Sequence, residues 1–162
     1  MHNRKSTMNF DGTHDHLLNA SFNQLTSTLP AGSTEILSRY LEHRRLGAGE
    51  VLWQEGDRSN PLAFILSGKF ELLKATSFPG RPFVLGLFSA GSLVGEDSFL
   101  GEQSCPGTTR ALVESEILIL NRERFESLSQ DDPGLATLLL KWLMTLLSAR
   151  LHNTQGRLAA IF

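Results

Sequence analysis

The chain has 162 residues, of which 41% are hydrophobic and 20% are charged, and its formal net charge at pH 7 is −2. This length suits one ordinary domain with its own hydrophobic core, and the near-neutral charge excludes a strong overall attraction to DNA or to an anionic membrane. The single cysteine, Cys105, excludes an internal disulfide and a cysteine-rich metal framework.

The first segment, residues 1–16, is polar and is predicted to form a flexible N-terminal tail ahead of one domain over residues 17–162. His2, His14 and His16 lie in this tail without a cysteine or convergent carboxylates, so no metal site is expected. The tail lacks the apolar stretch of a secretory signal, and no apolar run approaches the roughly 20 residues that span a bilayer. These features predict a cytoplasmic location and no membrane contact.

Helical spacing of apolar residues marks the start of the domain, residues 17–41. Pro30 and Gly32 interrupt this spacing, so the segment is predicted to form two short helices. The residues that set the spacing are Leu17, Leu18, Phe22, Leu25, Ile36, Leu37, Tyr40 and Leu41.

Residues 43–121 have a different pattern, in which short apolar runs alternate with turns that contain glycine. Examples of these turns are Gly47–Gly49, Gly56–Asp57 and Ser67–Gly68. Strands that recur at roughly 8–12 residue intervals with turn signals between them are typical of sandwiches, barrels and jelly rolls. The segment is therefore predicted to form a β-roll.

Helical spacing returns after residue 121 and predicts C-terminal helices over residues 122–155. Asn121 is suited to cap a short helix, and Asp132 followed by Pro133 is a strong start signal for a longer one. The longer helix carries a broad apolar stripe: Leu135, Leu138, Leu139, Leu140, Trp142, Leu143, Met144, Leu146, Leu147 and Leu151. Two interpretations stay open, burial against its own domain and pairing with a second copy in a homodimer.

Motifs for catalysis and for DNA recognition are missing from the sequence. There is no G-x-S-x-G, no H-E-x-x-H and no Walker motif, and nothing near Cys105 supplies a base, so we expect no enzyme activity. The roughly ten residues after Leu151 are too few for a helix-turn-helix, so no DNA-binding domain is expected in this chain.

The stretch Gly91–Leu100 has residues suited to holding a ligand. Gly95 leaves room for a close approach to the backbone, and Glu96 is an acceptor suited to sugar hydroxyls. If a short helix begins here, the backbone N–H groups around Asp97 to Phe99 form an anion site.

Several ordered motifs of the chain resemble the cyclic-nucleotide-binding domain family, which includes the sensor domains of catabolite-activator-type regulators and protein kinase A regulatory subunits. The resemblance covers about residues 20–152, and its motifs are Leu46–Leu52, Gln54–Asp57, Phe64–Leu72, Gly91–Glu96, Thr108–Ala111, Ser115–Leu120 and Ala149–Leu151. It implies a mainly β fold with flanking helices, a double-stranded β-helix (a jelly-roll-like β-roll) with N-terminal helices and a C-terminal helix.

The resemblance also implies a ligand and a site. The ligand would be cAMP, cGMP or a related nucleotide, held by a phosphate-binding cassette from about Gly95 to Thr109, with Glu96 accepting the ribose 2′-OH. The predicted site residues are Gly95, Glu96, Asp97, Ser98, Cys105, Pro106, Thr108 and Thr109.

The sequence departs from the family pattern at the position of the arginine that pairs with the cyclic phosphate. Cys105 occupies that position, and Pro106 follows it. Loss of the charge-assisted contact predicts binding weaker by roughly 10- to 100-fold. Arg110 and Arg81 are the candidate substitutes.

Two functions remain open. One is a sensor that binds a nucleotide and relays binding through its C-terminal helix to a protein partner, with Thr145 or Ser148 as candidate contacts to the base. The other is a degenerate domain that binds no nucleotide and acts as an interaction or dimerisation module.

Overall fold

The computed structural model describes residues 20–58, 61–78, 80–96, 98–99, 101 and 103–159. The predicted tail, its three histidines, Leu17 and Leu18 lie outside these residues. Within the described ranges the chain forms four helices and eight strands.

Two short helices precede the strands, α1 (Ala20–Thr28) and α2 (Ser33–Ser38). Gly32 stands between them with a φ of 83°, a left-handed conformation that glycine adopts without steric cost. Phe22, Leu25 and Leu37 are buried, so both helices pack on the domain through the apolar positions seen in the sequence.

The strands form two antiparallel sheets of four. Their bounds are β1 (Glu42–Leu46), β2 (Val51–Trp53), β3 (Leu62–Ser67), β4 (Lys69–Lys74), β5 (Phe83–Ser89), β6 (Leu93–Val94), β7 (Thr108–Ala111) and β8 (Ser115–Leu120). The first sheet has the order β1-β8-β3-β6, and the second has the order β2-β7-β4-β5. The predicted fold class, a mainly β jelly-roll-like roll with N-terminal and C-terminal helices, is confirmed.

Strands β3 and β8 are largely buried on both faces, which explains their apolar runs Leu62–Leu66 and Ile117–Leu120. Leu62 and Phe64 of β3 face a core shared with the helices, whereas Ala63 and Ile65 face a core between the sheets. Strand side chains alternate between faces, so a strand between two apolar layers needs apolar residues at every position.

Helix α3 (Arg122–Asp131) and helix α4 (Pro133–Ala159) follow the roll, and both begin at side-chain caps. The backbone N–H of Arg124 donates to Asn121 Oδ1 at 2.9 Å, and that of Leu135 donates to Asp132 Oδ1 at 2.9 Å. Each bond satisfies one of the N–H groups that lack a partner at a helix start.

Helix α4 changes its environment along its length. Its first half buries Leu135, Leu139, Trp142 and Leu143, with further apolar side chains beside them, against the roll and helices α1 to α3. From Leu147 to Gly156, which we call the distal segment, every side chain is exposed except that of Arg150.

By length and composition, Pro133–Gly156 is also apolar enough to cross a membrane. The sequence had predicted no such span. In the structure, 28% of the most apolar window is buried, and the inner face of the first half of the helix packs in the core.

Candidate functional site

The cassette begins where β6 ends, at Gly95. Gly95 has a φ of 91°, and a Cβ at this position would lie 2.2 Å from the carbonyl oxygen of Pro61. Only glycine fits this approach, and the group that comes close to Gly95 is the chain's own Pro61 carbonyl. Between β6 and β7 the described residues form turns and bends, so the short helix considered from the sequence is not found among them.

A small cavity lies where the cassette meets the second sheet. Its volume is about 60 Å³, and it is lined by Trp53, Leu72, Phe88, Val94, Gly95, Glu96, Pro106 and Thr109. Typical ligand pockets measure roughly 300–1,000 Å³, so a nucleotide enters this site only if the surrounding side chains move. Among these lining residues Glu96 is the single charged one.

The carboxylate of Glu96 is bound by a side chain from α4. Arg150 Nη1 donates to Glu96 Oε1, and Arg150 Nη2 donates to the carbonyl oxygen of Leu93 at 2.8 Å. The Glu96 side chain is 13% exposed and that of Arg150 is 33% exposed. One guanidinium therefore connects the distal segment of α4 with both β6 and the cassette.

Cys105 does not line the cavity. It is 2% exposed and belongs to the core between the sheets, with Trp53 and Phe70 among its members. Its backbone is held by the turn after β2, because Cys105 N–H donates to Asp57 O at 3.0 Å and Gly56 N–H donates to Cys105 O at 3.1 Å. The position that the family resemblance gives to the phosphate-binding arginine thus holds a core side chain.

The other predicted site residues have varied placements. Gly95, Glu96, Pro106 and Thr109 lie together as lining residues of the cavity. Ser98 is buried and does not line it. Thr108 Oγ1 accepts the backbone N–H of Glu55 at 3.1 Å. Asp97 lies outside the described residues.

The two candidate substitutes for the missing arginine do not line the cavity. Arg110 follows Thr109 on β7 and so faces the opposite side of the strand, where it forms an ion pair with the buried Glu71 of β4. Arg81 is exposed in the β4–β5 connection. Of the two α4 hydroxyls considered, Thr145 donates to Lys141 O at 3.0 Å and Ser148 is exposed.

A second carboxylate supports the turn on which the cassette rests. Glu55 accepts hydrogen bonds from Lys74 Nζ at 2.5 Å and from the N–H of Ala75 at 2.9 Å. The Lys74 bond, and after it the Ala75 bond, lower the pKa of Glu55 below its ordinary value. The turn after β2 is therefore tied both to the cassette, through Thr108, and to the end of β4.

Sequence reasoning missed Arg150 as a site residue, and Trp53, Leu72 and Phe88 as cavity walls. Arg150 was noted only as part of a family-like helix ending, because it lies 54 positions from Glu96 and no local pattern joins them. Among the described residues no cluster of histidine, cysteine, aspartate and glutamate has the composition of a metal site.

The fold and the site define the class of protein: a β-roll domain whose cassette contacts a C-terminal helix. The sequence profile of the cyclic nucleotide-binding domain matches residues 43–132, and the chain belongs to that family.

Comparison with known proteins agrees with this assignment. A lysophospholipase, nte1, of Aspergillus terreus is 33% identical over 113 residues, which cover 69% of this chain and 7% of that protein. The catabolite activator protein of Thermus thermophilus has a TM-score of 0.70 at 27% identity, over 85% of this chain and 62% of the other. A cyclic nucleotide-binding domain from Methylobacillus flagellatus has a TM-score of 0.75 at 21% identity, over 92% and 84%, and shows the shared fold.

Proposed function

We propose that the chain is a regulatory sensor domain that binds cAMP, cGMP or a related nucleotide and relays binding through α4. The observation that carries this proposal is the bond between Arg150 of α4 and Glu96 of the cassette. A ligand whose sugar hydroxyl binds to Glu96 alters the bond between Glu96 and the Arg150 guanidinium. Because Arg150 belongs to α4, the packing of α4 changes with it. The ligand then shifts a population between two packings of the helix.

The size of the cavity sets a requirement for this function. Because the space is about 60 Å³, binding must be coupled to displacement of lining side chains such as Trp53 or of the cassette itself. Such coupling is what a sensor needs, since a ligand changes a conformational equilibrium only when it binds one state more tightly. The proposal assigns no catalytic step to this chain and keeps the expectations of a cytoplasmic location and a protein partner for α4.

Two observations favour the alternative of an interaction module without a nucleotide. Cys105 brings no cation to the cavity, and the distal segment of α4 exposes Leu147 and Leu151. These side chains suit pairing with a second copy of the chain or with another protein.

Calorimetric titration with cAMP and cGMP tests the proposal, after absorbance shows that no nucleotide co-purifies. We expect saturable binding in the micromolar range, roughly 10- to 100-fold weaker than a site with its arginine. Absence of heat up to millimolar nucleotide would leave the interaction module as the function of the chain.

The role of Glu96 is tested by comparing cAMP with 2′-deoxy-cAMP. Wild type should prefer cAMP by roughly 10-fold or more, because a hydrogen bond to a carboxylate is lost with the hydroxyl. Glu96→Ala should bind both nucleotides equally, whereas Glu50→Ala, an exposed carboxylate paired with Arg44, should keep the wild-type preference. If Glu96→Ala still prefers cAMP over 2′-deoxy-cAMP as strongly as wild type does, a residue other than Glu96 binds the 2′-hydroxyl.

A further inference from the structure

We propose that the hairpin of β4 and β5 is a contact site for an anionic lipid surface. The site, which we call the hairpin patch, consists of large apolar side chains whose exposed fractions range from 46% to 71%: Phe78, Phe83, Val84, Leu85 and Leu87. Apolar side chains exposed together in this way mark a contact surface. The prediction of no membrane contact rested on spanning segments and net charge, and this contact depends on neither. It also does not depend on nucleotide binding.

The exposure of the hairpin patch follows from its position on an edge strand. Among the described strands β5 pairs with β4 alone, and the register places Leu87 opposite Glu71 and Phe88 opposite Phe70. Phe70 is buried in the core between the sheets and Phe88 packs against that core, so Leu87 points away from it. The core of the roll therefore has Phe88 as its β5 side chain and leaves Leu87 outside.

The charges beside the hairpin patch are complementary to an anionic surface. Lys69 and Arg81 are exposed near its two ends, and within the described residues neither side chain forms an ion pair. Glu71 of β4 and Glu55, which contacts the end of β4, are each bound by a basic side chain. Lys69 and Arg81 thus remain for anionic headgroups, and each cation near such a surface strengthens binding by about 5-fold.

The edge of β5 is interrupted, which disfavours a second strand as the occupant. The register between β4 and β5 shifts between Leu72 and Leu73, and Leu85 is the extra residue of this β-bulge. A bulge bends the strand, and edge strands avoid pairing with other chains in this way. A lipid surface is fluid and needs no matching backbone. Because the free backbone groups of β5 need hydrogen-bonding partners, insertion stays at the level of the headgroups, where water and polar groups supply them.

The tip of the hairpin has a phenylalanine on each side of an arginine. Arg81 N–H donates to Phe78 O at 3.2 Å, and Thr76 Oγ1 donates to Arg81 O at 2.7 Å. These bonds fix the turn, so little conformational freedom is lost when it binds. Phe78 and Phe83 are suited to enter the boundary between headgroups and acyl chains, while the long side chain of Arg81 reaches the lipid phosphates.

The test is flotation of the full chain, without nucleotide, with two kinds of vesicle. One contains phosphatidylcholine alone, and the other contains equal parts of phosphatidylcholine and phosphatidylserine. Wild type should bind the anionic vesicles roughly 10-fold or more tightly than the neutral ones, because two cations face the headgroups. Arg81→Gln should lose about 5-fold on the anionic vesicles and nothing on the neutral ones.

The apolar contact is tested with the double variant Phe78→Ser, Phe83→Ser. It should bind anionic vesicles at least roughly 10-fold more weakly than wild type, because both side chains then bury no apolar area in the lipid. Leu151→Ser is the matched control, since Leu151 is 60% exposed on α4, and it should bind as wild type does. Circular dichroism and thermal denaturation check that each variant is folded, as expected for changes at exposed positions.

Four results would overturn the proposal. Wild type that floats with neither vesicle does not bind lipid through this surface. Wild-type binding by the double phenylalanine variant places the contact elsewhere, and a loss in Leu151→Ser places it on α4. Equal binding of wild type to both vesicles removes the role of the two cations. Wild type that does not float, but sediments more slowly once both phenylalanines are replaced, makes the hairpin patch a protein interface.

Discussion

The carbonyl oxygen of Pro61 lies 2.2 Å from the point where a Cβ on Gly95 would stand. This close approach joins the chain before β3 to the first residue of the cassette, which itself lines the cavity. It also explains why position 95 needs glycine for two reasons, the space and the φ of 91°.

Gly95→Ala should therefore cost more stability than a substitution that changes backbone conformation alone. Gly49 is the matched control, because its φ is 84° and nothing lies within 4 Å of its Cβ position. We expect Gly49→Ala to lower the free energy of unfolding by about 1–2 kcal/mol. Gly95→Ala should lower it by an additional amount of about 1–3 kcal/mol because of the clash. Equal losses in urea denaturation would show that the cassette moves away from Pro61 at no cost.

Cys105→Arg should destabilise the protein and should not create a tight nucleotide site. Cys105 is 2% exposed among apolar side chains, so an arginine there buries an unpaired charge, at a cost of several kcal/mol. Cys105→Ala, which removes only the thiol, should cost about 1 kcal/mol. Thermal denaturation and cAMP titration of both variants provide the measurements. A stable Cys105→Arg protein that binds cAMP at least 10-fold more tightly than wild type would mean that the side chain turns outward into the cavity.

The features that the sequence predicted correctly are local ones. Asn121 and Asp132 cap helices through contacts three residues away, and the apolar runs of β3 and β8 indicate strands wherever they lie in the fold. Gly95 and Glu96 were identified together because they are neighbours in the chain, and both line the cavity.

The features that the sequence did not predict depend on contacts between distant segments. Arg150 and Glu96 are in contact only because α4 packs over the first sheet. No local residue pattern near either position predicts this contact. Backbone hydrogen bonds to Gly56 and Asp57 orient Cys105 so that its side chain points into the core. The sequence does not predict this orientation, because Pro106–Gly107 interrupts the alternation of strand side chains between faces. Long-range packing, rather than local preference, decides both positions.

The exposed stripe on α4 predicts self-association. Met144, Leu147 and Leu151 are 66%, 36% and 60% exposed, and their spacing places them on one side of the helix. If this stripe pairs two chains, Leu151→Glu should convert a dimer to a monomer in sedimentation velocity. Asn153→Glu adds the same charge on the opposite side and should leave the dimer intact. If the wild-type protein sediments as a monomer at all concentrations, the stripe does not pair two copies of the chain and contacts a different partner. Leu139, which is 0% exposed, belongs to the core and cannot serve in this test.

The ion pairs on β1 predict a loss of stability in acid. Glu116 accepts hydrogen bonds from His43 Nε2 at 3.1 Å and from Arg45 Nε at 2.9 Å. Burial raises the pKa of Glu116, but the bond from His43 and the charge of Arg45 outweigh it, so the pKa lies below its ordinary value of 4.5. Because the folded-state pKa is lowered, the stabilisation is fully present above pH 4.5 and is lost as the pH falls through the lowered value.

Glu116→Gln should therefore be less stable than wild type near neutral pH, by no more than about 1 kcal/mol because the side chains are partly exposed. The difference between the two proteins in free energy of unfolding should shrink as the pH falls below 4.5. Urea denaturation from about pH 7 to about pH 3 measures this difference. Glu126→Gln makes the same charge change on exposed α3 and controls for net charge. A difference that stays constant over the whole range would mean that Glu116 gains nothing from His43 and Arg45 in the folded state.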